Sequence, residues 1–194
     1  MTCDISAVEM TIRLADPEVD AARVAEIYGA SVQHSVASFE LIPPGVDEIA
    51  GRMRTVLQRT PWLVAAQDGV ILGYAYASIH RERAAYRWSV DVSAYVRDGH
   101  RGRRIGRSLY DELLAMLKRQ GFVNVYAGIT LPNPASVALH QSIGMRLIGV
   151  YESVGWKAGL WHDVGWYGMR LAEPPQSASG EPAEPGPVPD LKEP

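Results

Sequence analysis

The stretch YVRDGHRGRRIGRSLYDELLAML, Tyr95–Leu117, decides how the rest of the chain is read. It opens on the end of an apolar, extended run. Arg97, Arg101, Arg103, Arg104 and Arg107 then crowd around Gly99, Gly102 and Gly106, and Ile105, Leu109, Leu113, Met116 and Leu117 recur at helical spacing as far as Gly121, a C-terminal stop. A strand that enters a glycine-rich loop and leaves as a helix aims several backbone N–H groups, and the positive end of a helix dipole, at one point. Glycine lets the backbone approach an anion closely, and arginine adds paired donors. The pattern predicts a phosphate-type anion site; the plainer reading is a solvated basic turn.

Any such site must be local, because 19 basic against 22 acidic residues leave the chain at a net charge of -3. A protein whose whole surface serves nucleic acid or an anionic membrane is excluded by that balance. The 194 residues, 47% of them hydrophobic, suit one domain with a sizeable core. No run reaches the roughly 20 apolar residues of a membrane helix, and MTCDISAVEM lacks a secretory pattern, so a cytoplasmic protein is expected. Cys3 is the sole cysteine, which rules out internal disulfides and thiolate metal sites. It reads as a bystander thiol.

Outward from the loop, Thr11 to Leu14 reads as a strand, and Asp16 caps a helix that begins at Pro17 and ends near Ser31. A second helix carries Ile49, Met53, Val56 and Leu57 on one face and stops at Pro61. WLVAAQDGVILGYAYASI is a hairpin turning at Asp68-Gly69, and Tyr86 to Val96 continues the sheet. After the arginine loop and its helix, from about Arg104 to Gln120, FVNVYAGI is a strand, Asn133-Pro134 opens another helix that Gly144 stops, and Met145 to Leu171 supplies two closing strands. The expected order is βααβββαβαββ. Residues 1–10 read as a disordered leader and 11–172 as the domain. Residues 173–194, with seven of the 13 prolines, read as a solvated tail or a contact segment.

No GxxxxGK[ST] and no GxGxxG with an acidic ribose contact is present, which disfavours ATP and NAD. Scattered histidines and the lack of a GxSxG elbow leave no metal pair or serine hydrolase. The spacing Arg101-Gly102-Arg103-Arg104-Ile105-Gly106 instead resembles the Q/R-x-x-G-x-G/A pyrophosphate loop of the GNAT superfamily of N-acetyltransferases, with Arg104 where the family has its central glycine. Asn133, Ser136 and His140, followed by Gly144, resemble the second half of that cofactor site. PWLVA, AYRWSVDVSAYV, LPNPASVALHQSIGM and WHDVGWYGMRL resemble the phosphinothricin and methionine sulfoximine N-acetyltransferase branch.

The resemblance implies an α/β (α+β type) acyltransferase fold: a mixed, mostly antiparallel sheet of about seven strands, about four helices, and a splayed strand pair for the cofactor. It implies an acetyl-CoA-dependent transfer to the primary amine of a small amino-acid-like substrate, no metal, a homodimer, and a place in antibiotic or herbicide resistance. Acetyl-CoA would be held by Ala94, Tyr95 and Val96, by the loop Arg101, Gly102, Arg103, Arg104, Ile105, Gly106, Arg107 and Ser108, and by Asn133 and Ser136. Amide groups of Ala94 to Val96 would also stabilise the oxyanion.

An α-amine with a pKa of roughly 8 must lose a proton before it attacks, and the branch's proton-taking glutamate falls at Asp91, one methylene shorter. That points to relay through a water. His140 occupies the position of the superfamily tyrosine that protonates the departing thiolate. For the acceptor, Phe39 lies in a segment like the branch's substrate loop, and of Arg81, Arg83 and Arg87, which flank the strand to Asp91, Arg83 and Arg87 are the expected anion donors. Trp156, Lys157, Trp161 and His162 would border the pocket or a dimer partner; Trp62, Trp88 and Trp166 read as core. Two other readings remain: a nucleic-acid-binding module using the arginine loop with Tyr74, Tyr76 and Tyr86, and a coenzyme A-binding fold-mate of weak activity.

Overall fold

The computed structural model describes residues 10–174 and 182–189, so Cys3 and almost all of the leader lie outside the described residues. The elements are β1 Thr11–Leu14, α1 Pro17–His34, α2 Val46–Leu57, β2 Trp62–Gln67, β3 Val70–Ile79, β4 Ser89–Val96, α3 Ile105–Gln120, β5 Asn124–Leu131, α4 Pro134–Ser142, β6 Arg146–Lys157 and β7 Leu160–Arg170. Their order is the one read from the sequence. They form one seven-stranded sheet in the order β1-β2-β3-β4-β5-β7-β6. Every neighbouring pair is antiparallel except β4 and β5.

Helices cover both faces, which is why β2 reads as an unbroken apolar run. Leu63 and Ala65 turn to the face where α3 packs with Leu109, Leu113 and Met116, and Val64 turns to the face of α1 and α2, against Val24, Ile49 and Met53. The same alternation sends Val90 and Val92 of β4 into the α3 core and leaves Asp91 between them on the α1/α2 side. A side chain's place in the sequence parity thus decides whether it meets core or site.

Two boundaries differ from the sequence reading. Helix α1 runs one turn past Ser31, because Val32 continues its apolar face at 2% exposure and Ser35 closes the end by donating its N–H to Ser31 O at 3.1 Å. The chain at Ala84–Tyr86 is a 3-10 turn, and β4 begins only at Ser89, the first residue that has a strand partner. Part of the proline-rich tail rests on the domain. Gly186 N–H donates to Gln120 O at 2.7 Å, Gln120 Nε2 donates back to Gly186 O at 2.9 Å, and Val188 packs against the α3 core. Trp88, expected in the core, lies instead under this segment: its Nε1 donates to Ala183 O at 2.9 Å.

The entry into α1 is fixed by a buried carboxylate. Asp20, 2% exposed, takes both arms of the Arg13 guanidinium at 2.6 and 2.7 Å and the Asp16 N–H at 2.7 Å. Burial alone would raise its carboxyl, but these donors outweigh burial and hold it below the ordinary range. A depressed carboxylate contributes stability above its unfolded value of about 3.9 and loses it as pH falls further. Asp20→Asn is therefore expected to cost about 2 kcal/mol near neutrality. In thermal melts against pH, the gap to the wild type should close below about pH 4.

Candidate active site

Strands β4 and β5 are bonded only over three positions, Ser89 with Asn124, Val90 with Val125 and Asp91 with Tyr126. Beyond Asp91 the two part. β4 continues to Val96 against β3, and β5 continues to Leu131 against β7. The edge of β4 that faces β5, at Ala94, Tyr95 and Val96, is thereby released from its strand partner, and an extended ligand can use it as a further strand would. The expected splay is present, and Asp91 stands at its fork.

The wide end of the splay leads to the arginine loop. Arg97 N–H still holds Leu72 O at 2.8 Å, after which the chain turns through Gly102, at a φ of 78°, and Arg104, at a φ of 64°, into α3. Arg104 stands where the resembling loop has glycine, and its backbone keeps the left-handed turn that glycine would take freely. The first amide satisfied within α3 is that of Ser108, bonded to Arg104 O at 2.9 Å, so the amides of Ile105, Gly106 and Arg107 open the helix as anion donors. Gly106 is needed for closeness: a Cβ there would lie 3.1 Å from Leu139 of α4 and 3.7 Å from Val96.

The arginines divide by role. Arg107 braces α3 against α4, donating to Asp111 at 2.8 Å and to Ser142 O at 2.8 Å. Arg101 pairs with Asp98 at 3.0 Å, and Arg103 reaches Gln67 Oε1 at 3.3 Å, both on an exposed loop that a polyanion could recruit. Asn133 caps α4, its Oδ1 accepting the Ser136 N–H at 3.1 Å.

His140 is buried, with both ring nitrogens engaged. Nδ1 donates to Ser136 O at 2.7 Å, so Nε2, 3.0 Å from the Tyr110 hydroxyl, accepts. Burial lowers its pKa, with the Ser136 carbonyl opposing. In this arrangement the Nδ1 proton is held by the Ser136 carbonyl, and Nε2 faces the Tyr110 hydroxyl.

On the α1/α2 side of the fork lies a cavity of about 300 Å³, lined by Ala37, Phe39, Gly128, Thr130, Tyr151, Val154, Val164 and Trp166. Trp166 is thus a pocket wall and not core, and its buried Nε1 has no partner among the described residues. Phe39 is placed by its neighbours. The buried Ser38 bonds Tyr28 at 2.8 Å, the Lys157 ammonium donates to Val32 O and Ser38 O at 2.8 Å each, and Glu40 takes the Arg52 fork. Lys157 therefore anchors the segment that carries Phe39 from the β6–β7 hairpin, and burial lowers its pKa.

Of the expected anion donors, Arg87 is engaged with the C-terminal segment. Arg87 stacks 5.2 Å from the Trp88 ring and pairs with Glu184 of the C-terminal segment. Arg81 borders the cavity, its guanidinium 6.0 Å from the Trp166 ring and near enough to act to lower the Asp91 carboxyl. The sequence placed all three on one segment; the 3-10 turn at Ala84–Tyr86 stands between Arg87 and the other two.

The model of the acetyltransferase (GNAT) family matches residues 34–145. The chain belongs to that family. It is 37% identical over 159 residues to a phosphinothricin N-acetyltransferase of Streptomyces viridochromogenes, covering 81% of this chain and 87% of that one. It is 34% identical over 165 residues to an L-methionine sulfoximine/L-methionine sulfone acetyltransferase of Salmonella typhimurium, covering 84% and 96%. The crystal structure of a GNAT superfamily phosphinothricin acetyltransferase from Sinorhizobium meliloti in complex with acetyl-CoA superposes with a TM-score of 0.82 at 36% identity, over 94% of this chain and 97% of that one. Acetyl-CoA-dependent N-acetyl transfer is thus the activity, in preference to nucleic-acid binding. No cluster of metal-ligating side chains occurs among the described residues.

A Cβ added at Gly155 of β6 would run into the Phe39 ring. Gly155→Ala should swing that ring out of the cavity wall and raise KM for the amine about tenfold, the equivalent of roughly 1.4 kcal/mol of lost apolar contact. Steady-state kinetics should show KM for acetyl-CoA within about twofold of the wild type, since Phe39 is remote from the loop.

Proposed function

We propose that the chain acetylates the α-amine of a small amino acid that carries a second polar or anionic group, of the phosphinothricin or methionine sulfoximine type. The observation that carries this reading is the position of Asp91. It ends the paired part of β4 and β5, beside the mouth of the splay, on the same face as an open cavity lined by Phe39, Tyr151 and Trp166. A thioester laid along the released edge of β4 brings its carbonyl to the fork, and an amine held in the cavity meets it there. Amides of Ala94 to Val96 stabilise the charge on the carbonyl oxygen, and the carboxylate at the fork supports removal of the amine's proton. Arg81 offers a donor to the substrate's acidic group, while Phe39 and Trp166 cover its side chain. Arg101, Arg103, Arg104 and the first turn of α3 hold the diphosphate, with Asn133 and Ser136 at its second side.

The names of the two curated relatives and an amino-acid-sized cavity support this substrate class. A cytoplasmic place follows from the need for acetyl-CoA. A homodimer is supported by the β6 edge, where Leu147, Ile148, Val150, Tyr151, Val154 and Trp156 are exposed. Burying that face in a second copy would also close the side of the cavity that Tyr151 and Val154 form.

A thiol-release assay over methionine sulfoximine, methionine sulfone, phosphinothricin and free amino acids tests the reading, and no turnover above background on any of them would refute it. Asp91→Asn should lower kcat about a hundredfold with little change in the Kd for coenzyme A. Arg103→Glu should do the opposite, weakening coenzyme A about tenfold by calorimetry with kcat near that of the wild type. Sedimentation should give a dimer that Trp156→Glu dissociates, since a charge buried within that apolar face leaves the contact unable to form.

A further inference from the structure

Asp91 does not face the fork alone. Its Oδ1 lies 2.7 Å from Nδ1 of His80, the residue that follows β3, and both side chains are mostly shielded, at 15% and 25% exposure for His80 and Asp91. A carboxylate at that distance selects one imidazole tautomer: Nδ1 keeps the proton and donates it to Asp91, and Nε2 keeps a lone pair. No hydrogen bond to Nε2 is formed among the described residues. The ring is clamped in place. Tyr126 lies 4.6 Å away, with Tyr86 at 6.0 Å and Trp166 at 6.3 Å, both edge-on. Trp166 is the wall the ring shares with the amine cavity.

We propose that His80 is a further catalytic residue, whose Nε2 takes the proton of the acceptor amine while Asp91 orients the ring and balances the imidazolium charge. The inference rests on the acetyl-transfer reading above and deepens it. It answers the difficulty of the shortened side chain: a carboxylate one methylene short of the amine gains reach through the imidazole, with no relayed water. The step balances. An N–H bond of the ammonium breaks, its proton passes to Nε2, and the freed lone pair forms a bond to the thioester carbonyl carbon. The C–S bond then breaks with its electron pair on sulfur. Of the two protons the nitrogen loses, one ends on the thiolate and one leaves through His80 to solvent.

The groups around the pair fit this role. Facing His80 are Asp91 from β4, Tyr86 from the 3-10 turn, Tyr126 from β5 and Trp166 from β7, with Arg81 the adjacent cation. Burial raises the Asp91 carboxyl, while the His80 bond opposes that rise. Asp91 is the one acidic side chain in this set, and it is engaged with Nδ1.

Two variants separate proton transfer from positioning. His80→Gln and His80→Asn both remove the base, but the Asn amide stands where Nδ1 stood and still donates to Asp91. Both should lose about a hundredfold in kcat at pH 7 with KM for acetyl-CoA within about twofold. The loss should shrink to about tenfold or less at pH 9.5, where an α-amine with a pKa of roughly 8 is already neutral. Wild-type kcat in His80→Asn would overturn the proposal and leave His80 as a positioning residue. Nitrogen-15 NMR of the wild-type imidazole with coenzyme A bound is read without turnover: Nδ1 should carry the proton at pH 8. A proton on Nε2 instead would sink the proposal. An enzyme silent on every amine but with the Nδ1–H tautomer would count against the substrate assignment and not against the His80–Asp91 pair.

Discussion

The structure turns on one pairing that stops early. β4 and β5 are the only parallel neighbours in the sheet, and they hold one another for three residues before separating. Unsatisfied backbone groups within a sheet are costly, so a fork persists only where the rest of the fold holds each strand from its other side. Here β3 does that for β4, and β7 does it for β5, over their full lengths. The α3 core spans the gap from beneath, with Val92 and Ile129 from either side of it in one cluster. The opening is thus built into the sheet topology and needs no ligand to create it.

Everything chemical is referred to that fork. Its closed end sets Asp91 and His80 beside Tyr126; its open end leads to amides of the α3 N-terminus; and the face opposite α3 carries the cavity walled by Phe39 and Trp166. The parity of β4 does the sorting, since Val90 and Val92 are core and Asp91 between them is site. A carboxylate between two fully packed valines has little freedom, and its short side chain makes the neighbouring imidazole part of the same unit.

The acceptor side is assembled from distant segments. The Lys157 ammonium bridges the loop after α1 and the end of β6, which are 119 residues apart at Ser38, and Phe39 lies over Gly155 as a result. A partly dehydrated ammonium held by two carbonyls is a strong local fastening, because either carbonyl left alone would be a buried acceptor without a donor. The aromatic cavity owes the place of its Phe39 wall to that fastening, with Arg81 beside its Trp166 wall.

Periodicity and turn chemistry sufficed for the order of elements, because β2 and β3 read as buried strands joined at Asp68-Gly69 and α3 is marked at both ends by its glycines. The anion loop was legible for the same reason: strand, glycine, arginine and helix are local features, and their geometry follows from contiguous residues. Asp91 and Phe39 came from resemblance alone. What the sequence could not show were relations between segments that parity and turns bring together. Among these are the His80–Asp91 pair across β3 and β4, the retirement of Arg87 to Glu184, the locking of His140 between Ser136 and Tyr110, and Trp166 at the cavity. Local sequence fixes which backbone amides point at a phosphate, since they are covalent neighbours. Which nitrogen meets a carboxylate depends on strand register and on which face each side chain takes, and only the folded sheet sets both.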